Sequence, residues 1–168
     1  REGLEQIRAR YQAQEKDSKF RLLVCAGAGC VSSGCLAMRD ALRAALTEVG
    51  LDDQVIIHET GCIGTCDLGP TLVVEPDEIF YTHVKPEDAS RIVHQHLLNG
   101  RVVEGLCYLD HARGDRVRKR SDIEYFKRQS RLVTMRCGVI PYGSLDAYIA
   151  SDGYQALARV LAEMSRDE

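Results

Sequence analysis

Short apolar runs and a helical stripe alternate over the first part of the chain. Residues 20–24 (FRLLV) and 55–58 (VIIH) are compact apolar runs whose length and flanks predict buried strands. Between them, residues 34–49 carry apolar side chains at helical spacing before a glycine stop; these are Met38, Leu42, Ala45, Leu46 and Val49. The pattern predicts a β-α-β unit with a right-handed crossover.

The following stretch has the pattern of a β-hairpin and a helix. Residues 71–75 (TLVVE) and 79–84 (IFYTHV) are strand-like, and Pro-Asp-Glu between them is turn material. Pro86 suits the start of a helix whose buried face would contain Ala89, Ile92, Val93 and Leu97. A β-α-β unit followed by β-β-α is the thioredoxin-like order. We therefore expect an α/β, thioredoxin-like domain over residues 20–107, although a fold alone does not give a function.

The segments before and after this domain have different hydrophobic and charge patterns. Residues 1–19 predict a polar surface helix, and the charged stretch 108–121 predicts a linker. Within 122–168, a mainly helical segment, Ser144 is a candidate N-cap for a short helix and Asp152 for the last one. The last helix would carry an apolar stripe of Tyr154, Leu157, Val160, Leu161 and Met164. Such a stripe predicts docking against a partner surface; in the isolated chain it predicts self-association or cover by residues 1–16.

Composition narrows the class of protein. Of the 168 residues, 45% are hydrophobic and 28% charged, which is typical of a soluble globular protein. The net charge of −3 and the lack of a long apolar run give no reason to expect nucleic-acid binding or membrane insertion. The chain lacks an initiator Met and looks trimmed or partial. Since no signal peptide is visible and the seven cysteines are clustered, we expect a cytoplasmic protein whose cysteines bind metal or are redox-active.

Four cysteines form the chemically informative pattern. Cys25 and Cys30 make a C-x4-C pair, and Cys62 and Cys66 make a C-x3-C pair after a gap of 31 residues. Four thiolates can hold tetrahedral zinc, a [2Fe–2S] cluster or a [4Fe–4S] cluster. The C-x2-C spacing of zinc knuckles and of thioredoxin-type redox sites is absent. The spacing thus favours an iron–sulfur cluster and leaves a thiol–disulfide oxidoreductase and a zinc-stabilised interaction domain as alternatives.

Small residues surround both pairs. Gly27, Gly29, Gly61 and Gly64 would let the main chain approach cluster sulfurs closely, since they carry no side chain. Pro70 stands just before a predicted strand, a position that often holds a cis-proline in thioredoxin folds.

The two cysteine regions, CAGAGCVSSGC (25–35) and TGCIGTCDLGPTLVVEPDEIFYTHVKPEDASRIV (60–93), resemble the thioredoxin-like [2Fe–2S] ferredoxin family. That family includes the small iron–sulfur subunit of complex I. The resemblance implies electron transfer through one [2Fe–2S] cluster, with Cys25, Cys30, Cys62 and Cys66 as its ligands. Cys35 has no counterpart in the pattern and is expected to be a spare thiol.

A second resemblance covers residues 125–157 (YFKRQSRLVTMRCGVIPYGSLDAYIASDGYQAL). This stretch is similar to the segment before the flavin domain of the NADH-binding flavoprotein subunits of complex I-like enzymes. Fused to a ferredoxin domain, it looks like the flavoprotein subunits of NAD(P)-linked, multi-subunit hydrogenases and formate dehydrogenases. This implies an NADH dehydrogenase-like oxidoreductase as parent, with a flavin domain or other iron–sulfur subunits as partners.

The chain has neither a GxGxxG nor a P-loop sequence. FMN and NAD(P) are therefore expected only in a longer parent chain, and we expect no catalysis by these residues alone. Cys107 and Cys137 are expected to be structural thiols.

Overall fold

The structure is a computed structural model that describes residues 2–165. Its regular elements are α1 (Glu2–Lys16), β1 (Phe20–Cys25), α2 (Ala28–Ser32), α3 (Cys35–Glu48), β2 (Val55–Thr60), β3 (Leu72–Glu75), β4 (Ile79–Tyr81), α4 (Ala89–Arg91), β5 (Tyr108–Asp110), β6 (Asp115–Val117), α5 (Glu124–Lys127), α6 (Leu145–Ala150) and α7 (Gln155–Glu163). A 3-10 turn (Pro86–Asp88) precedes α4 and a π-helical stretch (Ile92–Leu98) follows it. The contacts divide the chain into one unit of residues 18–142 and a second of residues 1–17 and 143–168.

The larger unit is built on a four-stranded mixed sheet of order β2-β1-β3-β4. β1 and β2 are parallel, whereas β3 pairs antiparallel with both β1 and β4. This confirms the α/β, thioredoxin-like arrangement and each predicted strand. Cys25 is in register with Thr60, so β1 and β2 end side by side. The loops that follow these strands, which carry the two cysteine pairs, therefore start at the same end of the sheet.

One face of the sheet packs against α3 and the helical segment 86–98. The alternation of β1 and β3 turns Leu22, Val24, Leu72 and Val74 to this face, where each is at most 1% exposed. The helical partners are Met38, Leu42, Ile92 and Val93. Each such aliphatic side chain stabilises the fold by about 1.5–3 kcal/mol through burial, so this face forms the main core.

The opposite face is covered by a segment that the charge pattern predicts to be a linker. Leu23, Val73 and Phe80 point to this face and pack with Ile63 and Ile123. Around them lie Leu68, Tyr108, Val117 and Phe126. Residues 108–121 thus contain the β5-β6 hairpin and a 3-10 turn instead of a bare linker. The physical reason is that the central strands are apolar on both faces, and the second face needs a cover.

Chain beyond residue 100 also pairs with both outer edges of the sheet. The Phe80 and Thr82 N–H groups of the β4 edge donate to the Arg118 and Leu106 carbonyls, each at 2.8 Å. At the β2 edge, the Tyr142 N–H donates to the Glu59 carbonyl at 2.9 Å. These bonds satisfy edges that would otherwise be open to pairing with another chain. The larger unit consequently extends to residue 142, beyond the predicted boundary at 121.

The smaller unit consists of α1, α6 and α7. The Ser144 side chain caps α6 as predicted, by accepting a hydrogen bond from the Ala147 N–H at 3.2 Å. Asp152 does not cap α7, because the N-cap position is Tyr154 with a φ of 61°, and the Asp152 carboxylate pairs with Arg8 instead. No residue of α7 is buried. Within residues 2–165, no helix is both long and apolar enough to cross a bilayer.

Candidate metal centre

The four predicted ligand cysteines lie in the two loops at one end of the sheet. Cys25 is the last residue of β1, and Cys30 lies in the short helix α2, which the sequence pattern did not predict. Cys62 follows β2, and Cys66 begins a 3-10 turn. The two loops are far apart in sequence, and the parallel pairing of β1 with β2 brings them together.

The first pair is buried and strongly coupled. Cys25 and Cys30 are 3% and 2% exposed. The Cys30 thiol hydrogen-bonds to Cys25 and, with the N–H groups of Gly27 and Ile63, lowers the pKa of Cys25 to about 5 against the opposing effect of burial. The same hydrogen bond, together with burial and the Cys25 charge, raises the pKa of Cys30. The lowered pKa of Cys25 favours the thiolate form that a metal requires.

The second pair is exposed. The Sγ atoms of Cys62 and Cys66 are 3.9 Å apart, and the Gly64 N–H donates to the Cys62 Sγ at 3.3 Å. That N–H lowers the pKa of Cys62, but partial burial and the thiols of Cys66 and Cys25 outweigh it, so the pKa is raised. Cys25, of the first pair, is thus one of the groups that raise the pKa of Cys62.

Glycines of each loop face cysteines of the other. A Cβ at Gly27 would come 2.7 Å from the Cys62 Cβ, and one at Gly29 would come 3.3 Å from the Cys66 Sγ. In the opposite direction, a Cβ at Gly69 would come 3.0 Å from the Cys30 Sγ. Sequence reasoning anticipated the first two glycines but missed Gly69. The arrangement is a cradle in which the backbone of each loop comes close to the cysteines of the other, because glycine carries no side chain.

The donor set consists of two thiol pairs, one from each cysteine loop. A tetrahedral zinc site needs four ligands around one ion, whereas a [2Fe–2S] cluster takes two thiolates at each iron. The paired arrangement and the glycine cradle thus suit the cluster.

The thiol–disulfide alternative fits poorly. A redox-active cysteine needs a lowered pKa and solvent access on the same sulfur. Here the lowered pKa belongs to the buried Cys25, while the exposed Cys62 has a raised pKa.

The remaining cysteines lie in different surroundings. Cys35 is fully buried at the start of α3, where burial raises the pKa of its thiol. Cys107 is also fully buried, and its thiol contacts the Val103 carbonyl at 3.9 Å. Cys137 is half-buried against the second cysteine loop, with its Sγ 3.2 Å from where a Cβ on Gly61 would lie. No spacing signal in the sequence points to this last contact.

The Gly69–Pro70 peptide bond is cis, as predicted for this position. It leads into Thr71, whose side chain hydrogen-bonds to the Cys25 sulfur and contributes to the lowered pKa.

A thioredoxin-like sheet with two thiol pairs at one end defines an iron–sulfur protein class, and known proteins share it. The model of the thioredoxin-like [2Fe-2S] ferredoxin family matches residues 9–97, more than half of the chain. The "Ferredoxin, 2Fe-2S" of Aquifex aeolicus (strain VF5) is 40% identical over 72 residues, which are 40% of this chain and 65% of that protein. The Clostridium pasteurianum protein of the same name is 34% identical over 77 residues, 46% of this chain and 76% of that protein.

Among solved structures, the wild-type thioredoxin-like [2Fe-2S] ferredoxin from Aquifex aeolicus is similar, with 33% identity and a TM-score of 0.50. The alignment covers 53% of this chain and 95% of that one. The chain therefore belongs to the thioredoxin-like [2Fe-2S] ferredoxin family, a class of iron–sulfur electron carriers. The family match ends at residue 97, before the hairpin and the segment that covers the second cysteine loop.

Proposed function

We propose that Cys25, Cys30, Cys62 and Cys66 hold one [2Fe–2S] cluster and that this chain is an electron-transfer module. The observation that supports the proposal best is the reciprocal packing of Gly27, Gly29 and Gly69 against these cysteines. A bound cluster would accept and release one electron at a time, without bond changes in a substrate. The chain supplies the thiolates, N–H donors such as that of Gly64, and burial of the first thiol pair.

The two loops have different roles in this proposal. Cys25 and Cys30 are buried, whereas Cys62 and Cys66 are exposed. Electrons would therefore enter and leave on the side of the second loop, where Cys66 borders an open groove of about 380 Å³. Because all ligands are thiolates, we expect a potential nearer the plant-type value of about −400 mV than the upper Rieske range.

The test is an absorption spectrum with iron and sulfide analysis on protein purified without oxygen. We expect two irons and two sulfides per chain, and their loss in Cys62→Ala and Cys66→Ala. Cys107→Ala, which removes a buried thiol away from both loops, is the control and should keep the cluster. One zinc per chain, or unchanged iron content in Cys62→Ala, would overturn the assignment.

We also infer that the module works within a multi-subunit NAD(P)-linked oxidoreductase, of the NADH dehydrogenase, hydrogenase or formate dehydrogenase type. The support is the resemblance of residues 125–157 to flavoprotein subunits, together with the exposed stripe on α7. Leu157 is 50% exposed and Leu161 is 78% exposed, which is unfavourable without a partner. In this proposal FMN and NAD(P) belong to a longer parent chain, and a flavin domain or another iron–sulfur subunit covers the stripe.

Two experiments address this part. NADH should reduce the cluster only after the flavin-containing part of such an enzyme is added, and lack of reduction with every such partner would contradict the inference. For the isolated chain, sedimentation should show self-association that Leu161→Glu decreases. The cytoplasmic location remains part of the proposal; its support is the clustering of cysteines in two close pairs, a pattern more typical of metal-binding or redox-active proteins of a reducing compartment than of disulfide-linked ones.

A further inference from the structure

Residues that lie beyond the family match cover and contact the second cysteine loop. Three residues of this loop each contact a residue between positions 123 and 138; they are Gly61, Ile63 and Gly64. We call residues 120–138 the clasp. The first cysteine loop is instead anchored by β1, α2 and α3, which belong to the matched region.

The most specific of these contacts involves Tyr125. Its hydroxyl donates a hydrogen bond to the Gly64 carbonyl at 3.3 Å. Gly64 has a φ of +92°, and a Cβ there would come 2.9 Å from the same hydroxyl oxygen. The residue therefore has to be glycine both for its backbone conformation and for the approach of the tyrosine. The N–H of the same Gly64 donates to the Cys62 Sγ.

Two further contacts fix the position of the loop relative to the clasp. The side chain of Ile63 is 6% exposed and packs with Ile123 on the covered face of the sheet. It also lies directly over Gly138, where any Cβ would overlap its Cγ2 atom. The Arg120 guanidinium donates to the Gly138 carbonyl at 2.9 Å and so fixes that turn. Tyr125 thus contacts Gly64 directly next to Ile63, a residue whose position these contacts already fix.

We propose that Tyr125 is a positioning residue for the cluster: its hydroxyl holds the Gly64 turn so that the Gly64 N–H points at the Cys62 sulfur. This deepens, and rests on, the proposed cluster ligation by Cys62. An N–H donor to a ligand sulfur stabilises the reduced, more negative cluster and raises its potential. The hydroxyl of Tyr125 therefore tunes the exposed ligand pair and slows the loss of iron from it.

The variant that tests this is Tyr125→Phe, which keeps the ring and its edge-to-face contact with Phe126 (centroids 5.2 Å apart) but removes the hydroxyl. We expect a more negative reduction potential. We also expect iron release to a chelator to be about fivefold faster, the factor equivalent to a hydrogen bond of about 1 kcal/mol. Amide exchange of residues 63–66 should rise, whereas that of residues 26–30 should not.

The matched control is Tyr154→Phe, which removes a hydroxyl from the smaller unit and should leave all three measurements at wild-type values. Unchanged potential, iron release and amide exchange in Tyr125→Phe would overturn the inference. A uniform rise in exchange over both loops would also overturn it, because it would show a general structural role. If the wild-type protein itself contains no cluster, the proposed function fails; the exchange comparison still tests whether the hydroxyl holds the loop.

Discussion

Gly27 and Cys62 lie so close together that a Cβ on the glycine would come 2.7 Å from the Cβ of the cysteine and 3.3 Å from its Sγ. Real Cβ atoms essentially never approach to less than 3.0 Å. The two residues belong to different loops, 35 positions apart in sequence. Their contact therefore shows how the backbone of the first loop sets the position of a ligand in the second.

The first prediction concerns this contact. Gly27→Ala should push Cys62 away from the other thiols and lower the iron and sulfide content of the purified protein severalfold. Overpacking of this kind typically destabilises by about 1–3 kcal/mol. Gly105→Ala is the matched control, since a Cβ at Gly105 meets nothing within 4 Å. Equal iron content in both variants would show that the loops adjust without loss of ligation.

How far the sequence predicts this site depends on the range of the interactions. The strands, α3 and the four cysteines follow from local apolar patterns and spacing, and the parallel β1-β2 pairing then places the loops together. The contacts of Tyr125 with Gly64 and of Gly138 with Ile63 join residues more than 60 positions apart. No local pattern encodes such pairs. The hairpin at 108–117 was not predicted for another reason: most residues from 110 to 116 are polar or charged, and such a composition resembles a linker.

The second prediction separates Cys107 from the ligands. This thiol is fully buried in the main core. Cys107→Ser should lower the free energy of unfolding by about 1–3 kcal/mol, because the hydroxyl group is poorly satisfied where the thiol was. The absorption spectrum per folded molecule should not change. Denaturant titration measures the first effect and iron analysis the second; loss of iron without loss of stability would instead indicate a ligand.

The third prediction is a pH dependence that arises from His96. This side chain is 4% exposed, and its Nδ1 forms a hydrogen bond with the Tyr81 hydroxyl at 2.9 Å. The hydroxyl in turn accepts from the Val103 N–H at 3.1 Å, which leaves its own proton for the imidazole. Burial lowers the pKa of His96, and the charge of Asp77 only partly opposes this. The folded state therefore favours the neutral ring.

The sign of the effect follows from this lowered pKa. Above about pH 6.5, the pKa of an unfolded histidine, the ring is neutral in both states and its contribution to stability is complete. As the pH falls below that value, the unfolded chain binds the proton first, so stability decreases by at most about 1.4 kcal/mol per pH unit. Urea unfolding at about pH 5.5 and 7.5 should show a smaller loss in His96→Gln than in the wild type.

His94→Gln provides the control for that measurement. His94 lies two residues earlier in the same helical segment but is exposed. Its replacement should leave the wild-type pH dependence in place. If His96→Gln loses as much stability on acidification as the wild type, the dependence has another source.

The last prediction locates the end of the ferredoxin unit. A fragment of residues 18–142 retains both sheet edges, the covered second face and the clasp, so it should fold and contain as much iron per chain as the full protein.

A fragment of residues 18–121 loses Ile123 and Phe126, and the ring of Phe126 packs edge-to-face on the buried Phe80 at a centroid distance of 5.8 Å. It also loses the Tyr125 and Gly138 contacts to the second loop. We expect it to aggregate or to contain little iron, because Phe80 and Ile63 would be exposed. Full iron content and a wild-type potential in the shorter fragment would instead mean that residues 122–142 dock on a partner and are not part of the ferredoxin unit, as the sequence pattern alone indicates.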